Sequence, residues 1–267
     1  MDKIVQFNTK SSPNICLKLK LFYSIIYFTF DISEDYMDTV KIYGRLTDFD
    51  GNPLEGGGVE IKREDFQTCA YVLTDSDGRY SVEVKKGDYA AIAAVRDYAE
   101  KYLEYWGWNL PAYEDTEINM RIDSLEIYAL NAFMIQRSVP YASLMIYFRP
   151  MSLKLTKKYL EDADLMNSSE YLDTAPNFDI SEFSVFVNGE KAEILGMSKV
   201  TETAIDNGNG QKLYGYLLQV GAESLRADKP YQKIHVAAES SETCEKGEAS
   251  LFWKIPEAYK NGFSSEN

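Results

Sequence analysis

Between residues 40 and 47 the chain alternates. Val40, Ile42, Gly44 and Leu46 fall on one side of an extended strand, and Lys41, Tyr43, Arg45 and Thr47 on the other. Side chains in a strand repeat every two residues, so this pattern predicts one buried and one wet face. The same period separates Tyr80, Val82 and Val84 (inward) from Ser81, Glu83 and Lys85 (outward). Tyr89 to Val95 is apolar at nearly every position, which predicts a central strand covered on both faces. Two turns share one chemistry: Asp48-Phe49-Asp50-Gly51-Asn52-Pro53 and Asp75-Ser76-Asp77-Gly78. An Asp carboxylate accepts backbone N–H groups two residues on, and Gly adopts the positive φ that a β-carbon resists. Lys86-Gly87-Asp88 turns the chain once more.

A second strand series begins near Ala142. Leu144, Ile146 and Phe148 alternate with Met145, Tyr147 and Arg149, and Phe183, Val185 and Val187 alternate with Ser184 and Phe186. Asn188-Gly189 is a hairpin signal, and Asn207-Gly208-Asn209-Gly210 is another, between Lys199–Ile205 and Lys212–Val220. Tyr231–Ala238 and Ala249–Ile255 complete the set, with Pro256 ending the last strand. Between them, residues 151–180 carry weak strand signals. Thr156–Asp164 reads as a short helix inside a long surface excursion. The spacing of the short strands predicts an antiparallel sandwich, immunoglobulin-like in pattern.

The first series resembles a carboxypeptidase regulatory-like domain, a member of the transthyretin-like (prealbumin-like) β-sandwiches. Gly44, Asp48, Gly51, Pro53, Leu54, Gly58, Val59, Thr74, Asp75, Gly78, Tyr80, Gly87 and Tyr89 carry the resemblance. It covers about residues 38–96, and its remaining strands are expected through 116–136. Gly56-Gly57-Gly58 departs from the Gly-Ala that the family more often places there. The resemblance implies a scaffold or interaction module rather than a peptidase. The histidines and glutamate that hold zinc in metallocarboxypeptidases have no counterpart motif here. The several histidines and the Tyr-Arg-Gly-Ser ending of hydroxyisourate hydrolases are also missing.

The expected fold class is therefore all-β, two β-sandwich domains in series, transthyretin-like over 37–137 and immunoglobulin-like over 138–257, with a tail at 258–267. Residues 1–36 read differently. Lys18-Leu19-Lys20 leads into an apolar run, Leu21 to Phe30, closed by Asp31. The run is shorter than the ~20 residues a spanning helix needs, and no A-x-A cleavage pattern follows. The favoured reading is a mis-called upstream extension before a natural start at Met37, which would leave the protein cytoplasmic. An added strand or loose segment, and a membrane-directing leader that would export it, are the alternatives.

Composition narrows the chemistry. At 267 residues the chain has room for two domains, and 45% hydrophobic residues with 20 tyrosines suit packed β structure. A formal charge of −14 repels phosphate backbones, so no nucleic-acid partner is expected. Cys16, Cys69 and Cys244 stand far apart with no C-x-x-C pair, which predicts neither a disulfide framework nor a zinc site. The Asp-rich turns lack the further acidic ligands of a calcium loop, so no metal or cofactor is expected. The acidic residues Glu161, Asp162, Asp164 and Asp173 read as a solvated face.

Candidate sites are few. Tyr98, Tyr102, Tyr105 and Trp106 sit at i, i+4, i+7 and i+8, the stripe of an amphipathic helix packed on a core, which is the favoured reading of residues 97–113. Flat rings also stack on sugar faces, so Tyr102, Tyr105, Trp106, Trp108 and Tyr113 are the candidate ligand residues if the cluster is open. A protein contact is the third reading. His235, the only histidine, shares a strand face with Lys233 while Ile234 and Val236 point the other way, and it is expected to be exposed. No G-x-S-x-G elbow accompanies it, and no catalytic residue is assigned. The expectation is a non-catalytic binding or assembly module with a protein or carbohydrate partner. The alternatives are a carbohydrate-binding protein using residues 98–113 and a carboxylate-dependent enzyme such as a glycosidase-like hydrolase.

Overall fold

The computed structural model describes residues 38–134, 143–203 and 210–257. The expectations for the leader, for the Asn207–Asn209 turn and for the tail lie outside the described residues. The described residues from Thr39 onward form one compact unit. Its first half is built from β1 (Thr39–Thr47), β2 (Gly58–Lys62), β3 (Thr68–Leu73), β4 (Arg79–Lys85), β5 (Gly87–Val95), β6 (Tyr105–Ala112), β7 (Thr116–Glu117), β8 (Met120–Arg121) and β9 (Leu125–Met134). The second half has β10 (Ser143–Ser152), helices α1 (Leu153–Glu161) and α2 (Ala163–Ser168), then β11 (Tyr171–Leu172), β12 (Phe183–Val187), β13 (Glu190–Lys191), β14 (Ile194–Thr203), β15 (Lys212–Gly221), β16 (Gln232–Glu239) and β17 (Lys246–Trp253). The protein is all-β in class, with two short helices in the predicted excursion.

Alternation places β1 as its sequence requires: Val40, Ile42 and Leu46 are buried, while Lys41, Tyr43 and Arg45 face outward. β4 pairs with it antiparallel, setting Val82 opposite Ile42 and Tyr80 opposite Gly44. β7 and β8 run parallel along the other edge of β1. Gly44 is required there, because a β-carbon would collide with the Ile118 carbonyl, which also accepts the Tyr80 hydroxyl at 2.6 Å. The two Asp turns form as their chemistry predicts. Asp48 Oδ1 accepts the amides of Asp50 (3.0 Å) and Asn52 (2.8 Å), and Asp75 Oδ1 those of Asp77 (2.9 Å) and Arg79 (2.8 Å). Gly51 and Gly78 take φ of 85° and 73°.

One eight-stranded sheet, ordered β13-β12-β16-β17-β6-β5-β2-β3, runs through both halves of the chain. β5 is central, with Ala91 to Ala94 all buried, as its unbroken apolar run predicts. The join between halves is the parallel pairing of β17 with β6, which aligns Ala249 with Trp106, Ser250 with Gly107 and Leu251 with Trp108. Aligned residues share a face, so the register sorts the two cores. Tyr105, Ile92, Ile61 and Val59 project to one side, where the β4-β1-β7/β8 sheet covers them. Ala249, Leu251, Val236 and Val185 project to the opposite side, under the sheet ordered β11-β15-β10-β9, with β14 on the far edge of β15. β9 packs in this second core through Leu125, Ile127 and Leu130, although its sequence position suggests the first sandwich. Each covered face thus spans half of the shared sheet and leaves a corner beyond its edge. Both functional candidates sit in those corners.

Residues 97–113 do not form a helix. The helical spacing of their rings is overridden by ladder pairing on both edges: β5 binds one side of β6 and β17 the other. Gly107 permits this, since a β-carbon there would lie 2.7 Å from Ile92 Cγ2. Asn109, at φ 55°, inserts a kink that returns Leu110 and Ala112 to the first core.

Candidate functional site

The first corner is a polar cleft of about 1180 Å³. Its floor comes from the shared sheet. β16 turns Lys233 and His235 away from the second core, β17 does the same with Glu248 and Ser250, and β12 adds Phe186. Its other wall is the outward face of the covering sheet, with Lys41, Tyr43 and Arg45 on β1, Arg79 and Ser81 on β4, and Arg121 on β8.

Glu248 is the hub of the floor. It is 4% exposed, and both of its oxygens are bound. Oε1 accepts the Arg121 amide at 3.0 Å, and Oε2 accepts Arg121 Nε at 2.8 Å with a second, shorter bond from the same guanidinium. His235 Nε2 lies 3.5 Å from Oε2. Burial by itself would raise the carboxyl pKa, but the His235 and Arg121 contacts outweigh it and hold the group below the ordinary glutamate value. His235 is half-buried rather than exposed, because Glu248 and Ser250 anchor its ring, Nδ1 lying 3.1 Å from Ser250 Oγ. Ile234 and Val236 are fully buried on the opposite face, as their alternation predicts.

The other acids of the cleft are likewise engaged. Asp75 Oδ1 closes its turn, Asp115 Oδ1 accepts the Lys41 amide at 2.8 Å, and Glu117 Oε1 accepts Asn119 Nδ2 at 3.1 Å. Among the described residues, the Lys41 ammonium, the Arg79 guanidinium and the Lys233 ammonium have no hydrogen-bond or ion-pair partner. Lys233 reaches solvent along the cleft, and desolvation by the surrounding side chains, partly opposed by the Glu248 carboxylate, lowers its ammonium pKa below the usual lysine range. Arg45 stands directly opposite Arg79 across the β1–β4 ladder. Its Nε reaches the Asp77 carbonyl at 2.7 Å.

The second corner, on the other face of the shared sheet, is aromatic. Trp106 and Trp108 stack with ring centroids 4.9 Å apart and planes 16° from parallel. Tyr128 meets both rings edge-on at 5.4 Å. Phe66, held at φ 63° in the β2–β3 turn, lies against both, 6.1 Å from Trp106 and 5.9 Å from Trp108. Trp106 Nε1 donates to Glu126 Oε1 at 2.9 Å. Burial, then the neighbouring Glu104 carboxylate, pushes the Glu126 carboxyl up to about 8, so it is protonated at neutral pH. Its Oε2 and Trp108 Nε1 are buried and, among the described residues, without a partner.

The five expected ligand residues are not brought together. Tyr102 and Tyr105 are buried in the first core, Trp106 and Trp108 lie on the opposite face, and Tyr113 is an exposed residue beyond the strand. A strand sends neighbours to opposite sides, which separates Tyr105 from Trp106. Trp106 is 5% exposed, so its ring face is closed to a sugar. Tyr102, Tyr105 and Trp106 are buried, on or just before a strand instead of on a helix, whereas Trp108 is half-buried and Tyr98 and Tyr113 are exposed. The sequence reading missed the Glu248–His235–Arg121 cluster. Its one available signal was an acid set in an otherwise small and apolar strand, Gly247-Glu248-Ala249-Ser250-Leu251.

No protein-family model matches the sequence, and no curated protein matches it. Several solved structures are similar in chain trace. The major pilin subunit BcpA of Bacillus cereus is 10% identical, with a TM-score of 0.27, over 80% of this chain and 69% of that one. A DUF3823 family protein from Parabacteroides merdae is 12% identical, with a TM-score of 0.26, over 81% and 99%. The full-length major pilin SpaD from Corynebacterium diphtheriae is 7% identical, with a TM-score of 0.25, over 81% and 65%. Likeness at this level speaks to neither activity nor ligand. Among the described residues no helix is long and apolar enough to cross a membrane.

Proposed function

We propose that the protein is a non-catalytic binding or assembly module that engages its partner in the polar cleft, its first sandwich being of the carboxypeptidase regulatory-like type. The carrying observation is the donor–acceptor balance of the cleft. Its buried carboxylate, Glu248, is held by Arg121, and Asp115 and Glu117 each have one oxygen bound internally, while the Lys41, Arg79 and Lys233 heads have no hydrogen-bond or ion-pair partner among the described residues.

The Ser250–His235–Glu248 contacts superficially suggest a hydrolytic triad, and the local geometry argues against one. Ser250 is 2% exposed and lies mid-strand in β17, which is paired on one edge with His235 of β16 and on the other with Gly107 of β6. A nucleophile there has no open approach, and its backbone N–H is committed to the sheet instead of an oxyanion. Glu248 is fixed by Arg121, so the imidazole serves as one more anchor of the cleft floor.

The test is an NMR titration of isotopically labelled protein with a panel of anionic, neutral and cationic small fragments. The expected result is amide shifts clustered around Arg121, His235 and Ser250, with every fragment recovered unchanged after prolonged incubation. Chemical conversion of a fragment would overturn the non-catalytic reading, and shifts confined to the Trp108 corner would overturn the choice of site.

A further inference from the structure

Resting on the cleft as the binding site, we infer that its occupant is an extended, acidic peptide segment, with carboxylate side chains at alternate positions seated on the outward row of β1 and β4. Three observations converge on this.

The first is electrostatic. In a chain of formal charge −14, Lys41, Arg45, Arg79 and Lys233 collect in one concavity. Glu248 is paired with Arg121, and Asp75, Asp115 and Glu117 each have one carboxylate oxygen bound internally, so these four cationic heads outnumber the three exposed acids that line the cleft with them. Acidic segments are recognised by such arginine and lysine groups, guanidinium forks pairing with carboxylates in two-pronged fashion.

The second is the Arg45–Arg79 pair. Like charges directly opposite in an antiparallel ladder repel, and neither guanidinium has an ion-pair partner among the described residues. Arg45 commits one nitrogen to the Asp77 carbonyl and Arg79 none, so donors remain for an anion that bridges them. A carboxylate placed there converts a repulsive pair into two attractive contacts.

The third is spacing. Lys41, Tyr43 and Arg45 stand at i, i+2 and i+4 of one strand. Same-face side chains of a strand recur about every 6.8 Å, which is also the repeat of an extended peptide lying along it. The order cation, tyrosine, cation on the wall therefore matches acid, apolar, acid on the ligand. A polyphosphate carries no apolar group to meet Tyr43, and the continuous charge of a polyphosphate or a nucleic-acid strand meets the repulsion of the whole acidic chain.

The experiment is fluorescence anisotropy with a labelled Glu-Thr-Val-Thr-Glu peptide, blocked at its free end, against its Gln-Thr-Val-Thr-Gln counterpart. Inorganic tripolyphosphate and an oligogalacturonate serve as competitors. The expected result is saturable binding of the acidic peptide that weakens as salt rises, at least tenfold weaker binding of the glutamine peptide, and at least tenfold loss in the Lys41→Ala/Arg79→Ala protein at unchanged melting temperature. Equal binding of the two peptides, with NMR shifts in the cleft, would overturn the acidic preference and leave the binding cleft standing. Tighter binding of tripolyphosphate or oligogalacturonate than of the peptide would overturn the peptide class. Failure of probes of every charge to bind or shift the cleft would remove the cleft reading together with this one.

Discussion

The two corners of the shared sheet are built on the same plan and hold opposite contents. In each, a covering sheet stops short and bares half a face of the eight-stranded sheet. One bared face is closed by its own side chains, since Trp106, Trp108, Tyr128 and Phe66 pack on each other and seal Glu126 beneath them. The other is left open and wet, its charges held apart as a floor and a wall. A protein that needed only stability would close both corners in the same way. The contrast teaches that aromatic content marks where this chain seals itself, and that unpaired charge marks where it stays available.

The comparison breaks most visibly at Trp106. Truncation to alanine removes a nearly buried ring and the donor to Glu126, and is expected to cost about 3–5 kcal/mol in denaturant unfolding. Binding of the acidic probe should survive in whatever fraction remains folded. A loss below about 1 kcal/mol would mean that the corner is loosely packed and open to ligands after all.

A smaller, pH-dependent effect comes from Glu126. The folded chain keeps its proton up to about pH 8, against an ordinary value of 4.5, so it binds that proton more tightly than the unfolded chain does. The group's contribution to stability is complete below about pH 4.5 and is lost as the pH climbs towards 8, at no more than about 1.4 kcal/mol per unit. Glu126→Gln retains an acceptor for Trp106 and does not titrate. Its melting temperature should gain on the wild type steadily between pH 5 and 8. A difference that stays flat across that range would show the carboxyl to be ionised in the fold.

The smallest effect is expected in the cleft. Arg79→Ala removes an exposed side chain without internal partners and relieves the repulsion from Arg45, so stability should change by only a few tenths of a kcal/mol, in the stabilising direction. Calorimetry showing a loss above about 1 kcal/mol would mean that Arg79 holds the fold together and is not kept for a ligand.

Local chemistry explains which of these features the sequence discloses. The period-two rows of β1, β4 and β16, the Asp turns and Asn188-Gly189 (φ 55° and 87°) are each determined by neighbours within a few residues, and each is legible. Residues 97–113 were misleading because their rings fit a helical period, while the pairing that overrides it comes from β17, far along the chain. Asn109 and Ala129 adopt left-handed φ with no glycine to announce it. The cleft floor was invisible for a related reason: Arg121 and Glu248 are 127 residues apart, and no local motif links them. A lone acid within an apolar strand, as at both Glu126 and Glu248, is the one clue a reader could carry forward, since a buried carboxyl must find a donor or keep its proton.

The parallel ladder between β6 and β17 also dictates what happens while the protein is being made. β6 leaves the ribosome long before its partner, so the nascent first half carries a naked, tryptophan-bearing strand edge until β17 is translated. Such an edge invites pairing with other chains. A stop codon just ahead of Lys246 would tear the sheet at its centre, where most truncations would merely trim a rim.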